Sequence, residues 1–206
     1  MKKCIWRNLA FSVLFAGAMQ AATITWDFSS GTAGNVFSST ENFPSGGFTV
    51  VAKGYSNTSN TNNLYGKNNT GDEKGLGLNG FSDNEIAGNG FIQLDLSALV
   101  GFTNFKISLD SSTDGETWKV FECATSGTVC GTQVASGSNE GSLNSFSIGN
   151  VASTGRYLDI KATNGNVLLY KLTADTASVP EPSTWTLLLL SGVLLGGVRV
   201  LKFKRS

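Results

Sequence analysis

The acidic side chains are the residues with which this chain could do chemistry, because it contains no histidine. Without an imidazole, neither a Ser-His-Asp triad nor a Cys-His pair can form. Glycoside hydrolysis needs two carboxyl groups about 5–10 Å apart across a cleft, and the candidates are Asp83, Glu85, Asp95, Asp110, Asp114 and Glu116. A turn already explains Asp114, and the polar face of a strand explains Asp95. We therefore expect a protein that is not an enzyme, with a glycoside-active enzyme as the third alternative.

Asp110 and Asp114 are also the candidate ligands for calcium. The segment 110–115 carries oxygen-bearing side chains at positions 1, 3 and 5 and a glycine at position 6, as an EF-hand loop does. That loop also requires a glutamate at position 12, where this chain has Phe121. The segment is therefore not an EF-hand. We expect no cofactor and no dedicated metal site, with a structural Ca²⁺ as the alternative.

Three aromatic residues, Tyr55, Tyr65 and Phe81, lie in or beside polar loops. One form of saccharide site places an exposed aromatic ring beside side chains that donate and accept hydrogen bonds. The three rings are therefore candidate ligand-binding residues. The alternative is that they are incidental, because single exposed aromatic residues are ordinary on protein surfaces.

Cys123 and Cys130 are the only cysteines outside the N-terminal segment. In an oxidising compartment, two cysteines this close together predict a disulfide. The closed loop is small, so the chain-entropy model gives only roughly 2.5 kcal/mol of stabilisation. A metal site or a redox pair is not indicated, because the chain has neither histidine nor a Cys-x-x-Cys motif.

Alternation of apolar and polar residues predicts β-strands along the middle of the chain. The clearest segment is Phe91–Leu96, in which Gln93 and Asp95 are expected to face outward. Seven further segments show the pattern: 23–28, 48–52, 105–109, 118–121, 143–148, 157–162 and 167–172. No window of eleven residues keeps a helical apolar pattern. Residues 23–174 are therefore predicted to be all-β, as a two-sheet antiparallel β-sandwich or jelly roll.

Two glycine turns and one polar segment connect these strands. Asn164-Gly165 predicts a tight hairpin in which segments 157–162 and 167–172 pair antiparallel. Asp114-Gly115 supplies the positive-φ residue that a tight connection needs. Residues 57–70 are rich in Asn, Ser, Thr and Gly, so we expect them to form a long exposed loop.

The N-terminal residues 1–22 have the composition of a cleaved signal peptide. Cations at Lys2, Lys3 and Arg7 precede an apolar run that is too short to span a bilayer, and small residues follow it. Cleavage after residue 18, 21 or 22 fits equally well. The segment 23–178 holds eight Lys and Arg residues and fourteen Asp and Glu residues, a net charge of −6. Nucleic acid is therefore not an expected partner, because its recognition needs a basic face.

Residues 185–206 combine an apolar run with cations. The run Trp185–Val198 is shorter than the about 20 residues that span a hydrocarbon core, so a full span requires Arg199 to snorkel to the interface. The cations expected to stop transfer are Arg199, Lys202, Lys204 and Arg205. We predict one transmembrane helix here, preceded by a linker at 175–184 that contains Pro180, Glu181 and Pro182.

The order Pro180-Glu181-Pro182, apolar helix, basic end resembles the PEP-CTERM sorting signal of Gram-negative bacteria. The sequence of residues 179–184 is close to the usual form of this motif. The cations depart from it, because Val200, Leu201 and Phe203 separate them and they do not form one compact cluster. The resemblance implies processing by an exosortase, a membrane peptidase. It further implies an inner-membrane anchored precursor that is exported to the cell surface or the extracellular polymer matrix.

Three segments of the middle region resemble discoidin and coagulation-factor type C domains. They are Gly90–Leu96, the stretch from Leu109 to Trp118 with Asp114-Gly115, and Phe146 with Gly155–Ile160. The resemblance implies a galactose-binding-like jelly roll that binds sugars, lipids or proteins through loops at one end. The repeated Gly75-Leu76-Gly77-Leu78 with Asn84-Glu85-Ile86 is similar to domains that precede PEP-CTERM signals.

Taken with the charge distribution, these patterns predict an exported surface or matrix protein with a structural or adhesive role. Its expected partners are an exosortase-type membrane peptidase, the membrane and extracellular polysaccharide. The alternative is a carbohydrate-binding, lectin-like module.

Overall fold

The computed structural model of the chain describes residues 21–29, 34–68, 73–110, 115–127, 131–139, 145–149 and 156–177. The strands within these residues are β1 (Thr23–Asp27), β2 (Asn35–Val36), β3 (Thr40–Ser45), β4 (Phe48–Tyr55), β5 (Leu64–Asn68), β6 (Lys74–Leu78), β7 (Ile86–Ala87), β8 (Phe91–Asp95), β9 (Thr103–Asp110), β10 (Glu116–Cys123), β11 (Thr132–Asn139), β12 (Ser145–Gly149), β13 (Tyr157–Asn164) and β14 (Asn166–Asp175). Two single 3₁₀ turns, Ser82–Asn84 and Ser97–Leu99, complete the elements of this part.

In the described part of the chain the strands form two antiparallel sheets. The larger sheet has the order β12-β9-β14-β6-β5-β2, and β1 and β7 also pair with β14. The smaller sheet has the order β11-β10-β13-β8-β4-β3. The long strand β14 organises the larger sheet, because β9 follows one of its edges and β6 and β1 follow the other. The predicted all-β, two-sheet antiparallel architecture is confirmed.

One hydrophobic core lies between the two sheets. Both sheets contribute to it, with Trp26, Phe105 and Leu172 from the larger sheet and Trp118 and Ile160 from the smaller. Alternation along each strand sends these side chains inward and their polar neighbours outward. Burial of such large apolar side chains is the main term that stabilises the fold.

Each of the eight predicted strand segments contains a strand within the described residues. The polar segment 57–70, however, is not one long loop. Its second half forms β5, which pairs with β6 along its whole length. Leu64 has no exposed surface, and Gly66 is also buried. The prediction was wrong here because a preformed neighbouring strand supplies the hydrogen bonds and the apolar contacts that the segment lacks by itself.

The turn at Asn164-Gly165 joins the two sheets and does not close a hairpin. Gly165 has a φ of +67°, the positive value such a turn requires. However, β13 pairs with β10 and β8, whereas β14 pairs with β9 in the other sheet. The predicted pairing of these segments is therefore wrong. A turn dipeptide determines the direction of the chain, but the partner of each strand depends on which core it covers.

Gly115 also has a positive φ, of +86°, as predicted. It likewise connects strands of different sheets, because β9 belongs to the larger sheet and β10 to the smaller. The two connections lie side by side, since the side-chain amide of Asn164 donates a hydrogen bond to the carbonyl of Gly115 at 2.9 Å. Buried Glu116 accepts a hydrogen bond from the backbone N–H of Asn166 at 3.1 Å, which links the start of β10 to the start of β14.

The predicted signal peptide, apart from its last two residues, and the predicted transmembrane helix at 185–206 lie outside the described residues. Within the described ranges, no helix has both the length and the apolar character needed to cross a membrane.

Candidate functional site

Tyr55 is buried, and the expectation that it is an exposed ring is wrong. It is 3% exposed, and its ring stacks on that of Phe91 with centroids 4.7 Å apart. Its hydroxyl lies 3.1 Å from Oγ of Ser126. Tyr65 in β5 and Phe81 in the turn after β6 are half-buried, and Phe81 packs against the core. Ligand binding by Tyr65 and Phe81 stays a prediction.

The structure describes only one of the two calcium candidates, Asp110. Asp110 is only 3% exposed, and its carboxylate accepts a hydrogen bond from the backbone N–H of Lys74 at 2.7 Å. Asp114 lies outside the described residues. Among the residues that the structure describes, no group of three or more His, Cys, Asp or Glu side chains is placed to hold a metal ion.

Gln93 was expected to face solvent, but it is 2% exposed. It does lie on the outer face of its sheet, where the residues after β10 cover it. Its side-chain oxygen accepts hydrogen bonds from Ser126 Oγ at 2.8 Å and from the backbone of Gly127 at 3.1 Å. Its amide nitrogen donates to Asp159 at 2.7 Å, and the sulfur of Cys123 lies 3.1 Å from the other oxygen of that carboxylate.

These contacts link buried Gln93 and Asp159 to Ser126 and Gly127 in the turn that follows β10, and they stabilise that turn. Such groups are inexpensive to bury only when they are hydrogen-bonded to one another. Cys130, the predicted partner of Cys123 in a disulfide, lies outside the described residues, so that pairing stays a prediction.

Asp95, another carboxylate with a candidate catalytic role, makes structural contacts. Asp95 forms an ion pair with Arg156 at 3.2 Å and accepts a hydrogen bond from the backbone of Ser97 at 2.8 Å. Burial opposes ionisation of Asp95, but the bonds from Arg156 and Ser97 outweigh it and lower its pKa. Asp95 therefore remains ionised at neutral pH. Its ion pair with Arg156 joins the end of β8 to the start of β13.

Sequence reasoning missed a buried charge cluster, which consists of Lys67, Glu73 and Glu85. The Lys67 ammonium is bonded to both carboxylates, and Glu85 is only 2% exposed. Burial alone would lower the pKa of Lys67, but the bonds to Glu73 and Glu85 raise it above its usual value. Burial raises the pKa of Glu85 from 4.5 to about 7, against the opposing effect of Lys67. One ionised carboxylate is enough to balance the single ammonium.

We expect Glu85→Gln to flatten the pH dependence of stability. In the wild type the unfolded chain ionises Glu85 at a lower pH than the fold does. The folded state therefore loses relative stability as the pH rises from about 4.5 to about 7. With allowance for residual solvent screening, the loss is on the order of 2 kcal/mol. Denaturant unfolding at a series of pH values, followed by the fluorescence of buried Trp26 and Trp118, measures it.

The control for this variant is Glu41→Gln, which removes a carboxylate from β3 outside the cluster. Its pH profile should run parallel to that of the wild type. A Glu85→Gln profile that also runs parallel would contradict the raised pKa.

A polar groove of 320 Å³ lies on the outer face of the larger sheet. It is lined by Thr23, Asn104, Lys106, Ser147, Thr173 and Asp175. Four strands contribute, since Thr23 lies in β1, Ser147 in β12, Asn104 and Lys106 in β9, and Thr173 and Asp175 in β14. Register places Ser147 and Thr173 on either side of Lys106, in one row across three strands.

Asp175 is held at one end of the groove. Its oxygens accept hydrogen bonds from the Thr23 hydroxyl at 2.5 Å and from the Asn104 amide at 2.9 Å. These two bonds, with the charge of Lys106, lower its pKa, so the carboxylate is ionised at neutral pH. Asp175 was expected to begin the linker at 175–184, but it is the last residue of β14.

Two β-bulges flank the groove. Between the pairs Thr173–Lys106 and Asp175–Thr103, β9 holds one residue more than β14. The extra residue in β9 leaves Asn104 with a φ of +54°, a left-handed conformation that Asn tolerates better than most side chains. A second register shift lies between Ser147 and Gly149 in β12. Bulges redirect side chains at specific positions, and here Asn104 reaches Asp175.

The C-terminal residues 178–206 lie outside the described residues. Residues 178–205 match the PEP-CTERM protein-sorting motif. The match confirms the resemblance carried by Pro180, Glu181 and Pro182. The PEP-CTERM motif implies an exported, membrane-anchored precursor that an exosortase then processes. No curated protein shows significant similarity to the chain.

The PEP-CTERM match begins three residues after β14 ends at Asp175. The individual roles predicted for the cations, Arg199, Lys202, Lys204 and Arg205, stay predictions, as does the role of each residue of Pro-Glu-Pro. Unlike the sorting motif, the residues of the groove form no recognisable pattern in the sequence. Alternation places Lys106 on an outer face, but no local pattern brings Thr23 beside Asp175.

Proposed function

We propose that the β-domain is a structural or adhesive protein of the cell surface or extracellular matrix, delivered there by its PEP-CTERM motif. The observation that carries this proposal is the match at 178–205, directly after the last strand of a folded β-domain. The motif supports sorting of an exported precursor by an exosortase. The β-domain is then the part that acts after processing.

The surface charge and the use of the carboxylates support a role in structure or adhesion. The segment 23–178 has a net charge of −6, which keeps a domain soluble and away from anionic surfaces. Candidate catalytic carboxylates such as Asp95, Asp110 and Glu116 are engaged in contacts that hold strands and turns together. Their pairing favours a non-enzymatic role over glycoside hydrolysis.

The sorting step needs an accessible peptide. Proline fixes its own φ and disfavours helical conformation in the residue before it, so Pro180-Glu181-Pro182 favours an extended backbone. In the sequence, four residues separate Asp175, the end of the last strand, from Pro180. In this proposal the partners are an exosortase-type membrane peptidase, the membrane and extracellular polysaccharide.

The triple substitution Pro180→Ala/Glu181→Ala/Pro182→Ala is expected to abolish sorting. The wild-type protein should lose its C-terminal segment from about Val179 and reach the surface fraction of its native host. The variant should keep its full length and remain in the inner membrane. Intact-mass measurement and fractionation of the same cultures give both results.

The matched control is Glu41→Ala/Pro44→Ala, which removes the same two residue types from the edge strand β3. It should be processed and sorted like the wild type. If the wild type and the triple variant both remain full-length and anchored, the sorting proposal fails, and the protein is a membrane-anchored β-domain.

A further inference from the structure

The outer-face groove combines hydrogen-bonding groups of three kinds. Asp175 supplies an ionised acceptor, Lys106 a cationic donor, and the hydroxyls of Ser147 and Thr173 act as either. Each group stands on a strand, so its position is held by the ladder hydrogen bonds of the sheet. The groove therefore presents a fixed pattern of donors and acceptors within a space of 320 Å³.

The charges of the groove exclude two simpler ligands. A bare cation would have to approach the ammonium of Lys106, and only one carboxylate, Asp175, is present to hold it. A small inorganic anion would meet the repulsion of that same carboxylate. A neutral ligand with several hydroxyl groups can bind both Asp175 and Lys106, because a hydroxyl donates to a carboxylate and accepts from an ammonium.

The backbone around the groove holds its polar side chains in a specific arrangement. Asn104 occupies a left-handed conformation within a strand, and the bulge that it forms directs its amide to Asp175. Thr23 holds the other oxygen of that carboxylate. Conformations of this kind cost free energy and occur preferentially at binding and active sites. Asp175 is thereby oriented before any ligand arrives, which lowers the entropy cost of binding.

From this geometry we propose that the groove is a saccharide-binding site, in which Asp175, Asn104 and Lys106 bind the ring hydroxyls. The volume suits a sugar unit of one or two rings, near the lower end of about 300 Å³ for ligand clefts. The site lies on the outer face of a sheet, whereas the discoidin resemblance implies binding through loops at one end of the domain. It deepens the adhesive role proposed above and rests on the export of the domain, since extracellular polysaccharide is then within reach.

The test uses the full-length chain in a detergent that has no sugar headgroup. Saturation-transfer-difference NMR with D-glucose, D-galactose, D-mannose and D-glucuronate as probes measures binding. We expect saturable binding of at least one probe, and a loss of tenfold or more in affinity in Asp175→Asn, as deletion of a charged hydrogen bond predicts. Lys106→Met should weaken binding of the uronate more than that of a neutral hexose.

The matched control is Asp27→Asn, which removes a half-exposed carboxylate from the other end of β1, where it faces Lys171 at 3.6 Å. It should leave the affinity unchanged. Ser147→Ala/Thr173→Val removes two groove hydroxyls without touching the bonds of Asp175, and should also weaken binding while the unfolding curve stays intact.

The absence of saturable binding for all four sugars, or binding that survives Asp175→Asn and Ser147→Ala/Thr173→Val alike, overturns the proposal. Because this assay does not depend on processing in the host, its outcome is separate from that of the sorting experiment. A chain that is sorted but binds no sugar keeps the proposed delivery and loses the saccharide site.

Discussion

Replacing Lys67 with methionine is expected to destabilise the β-domain by about 3–5 kcal/mol at pH 8. Removing one partner of a buried ion pair leaves an uncompensated charge in a poorly solvated site, and penalties of this size are typical. Here the charge is that of Glu85, which is 2% exposed and bonded to the Lys67 ammonium. Methionine retains most of the length and apolar character of the lysine stem, so the effect isolates the charge.

The cost should depend strongly on pH. In the wild type, burial already raises the pKa of Glu85 to about 7 despite the neighbouring ammonium. Without Lys67 the carboxyl can be buried cheaply only when it is protonated, so the destabilisation at pH 5 should be markedly smaller than at pH 8. Denaturant unfolding of the purified protein at the two pH values gives the comparison.

Two further variants make this result interpretable. Lys67→Met/Glu85→Gln removes the charges of Lys67 and Glu85, leaves the less buried Glu73, and should recover much of the stability at pH 8. Lys119→Met changes a half-buried lysine of β10 and should cost far less. Equal destabilisation by Lys67→Met at pH 5 and pH 8 would show that lost packing, and not the uncompensated carboxylate, is responsible.

Gly77→Ala is expected to destabilise the domain by more than 3 kcal/mol or to prevent folding. A Cβ at this position would overlap the carbonyl oxygen of Asn84 and lie 2.9 Å from Cα of Glu85. Both obstacles are backbone atoms, so no side-chain rotation can make room. The turn in question already contains two left-handed residues, Asp83 and Asn84, and has little freedom to move.

The control is Gly47→Ala in the turn between β3 and β4. That glycine has a φ of +84°, but a Cβ there would meet nothing within 4 Å. The conformational penalty alone should cost about 1–2 kcal/mol. Unfolding midpoints of the two variants, measured by tryptophan fluorescence, separate the two effects. If Gly77→Ala destabilises the domain no more than Gly47→Ala does, the turn at Asn84 moves to accommodate the methyl group, and the prediction is wrong.

The same contacts explain the Gly-Leu-Gly-Leu repeat seen in the sequence. A Cβ at Gly75 would lie 2.5 Å from the carbonyl oxygen of Leu169, in the neighbouring strand β14. The two glycines therefore allow backbone atoms to approach β6 closely, those of β14 at Gly75 and those of Asn84 and Glu85 at Gly77, while Leu76 and Leu78 fill the core without any exposed surface. The repeat is visible in the sequence, but its reason requires the tertiary structure.

Much of the candidate saccharide site could not be predicted, because its members are distant in the chain. Thr23 and Asp175 are hydrogen-bonded across 152 positions, and Asn104 reaches Asp175 across 71. The rings singled out from the sequence, in contrast, were chosen for the polarity of their flanks. Tyr55 shows the limit of that criterion, since the turn after β10 covers it together with Gln93.

By itself the sequence determined those properties that depend on neighbouring residues. Alternation marked eight strand segments, the abundance of turn residues favoured an all-β domain, and Pro180-Glu181-Pro182 with its apolar and basic continuation marked the sorting motif that spans 178–205. Each of these is a local pattern, in which spacing along the chain is itself the physical constraint.

Only the tertiary structure decided which strands pair and which polar groups are buried. It made Asn164-Gly165 a crossing between sheets, placed β5 within a segment expected to be a loop, and enclosed the cluster of Lys67 and Glu85. The physical reason is that a strand pattern specifies a face but no partner. Pairing, burial and the resulting pKa values follow from the register of strands that are far apart in the chain.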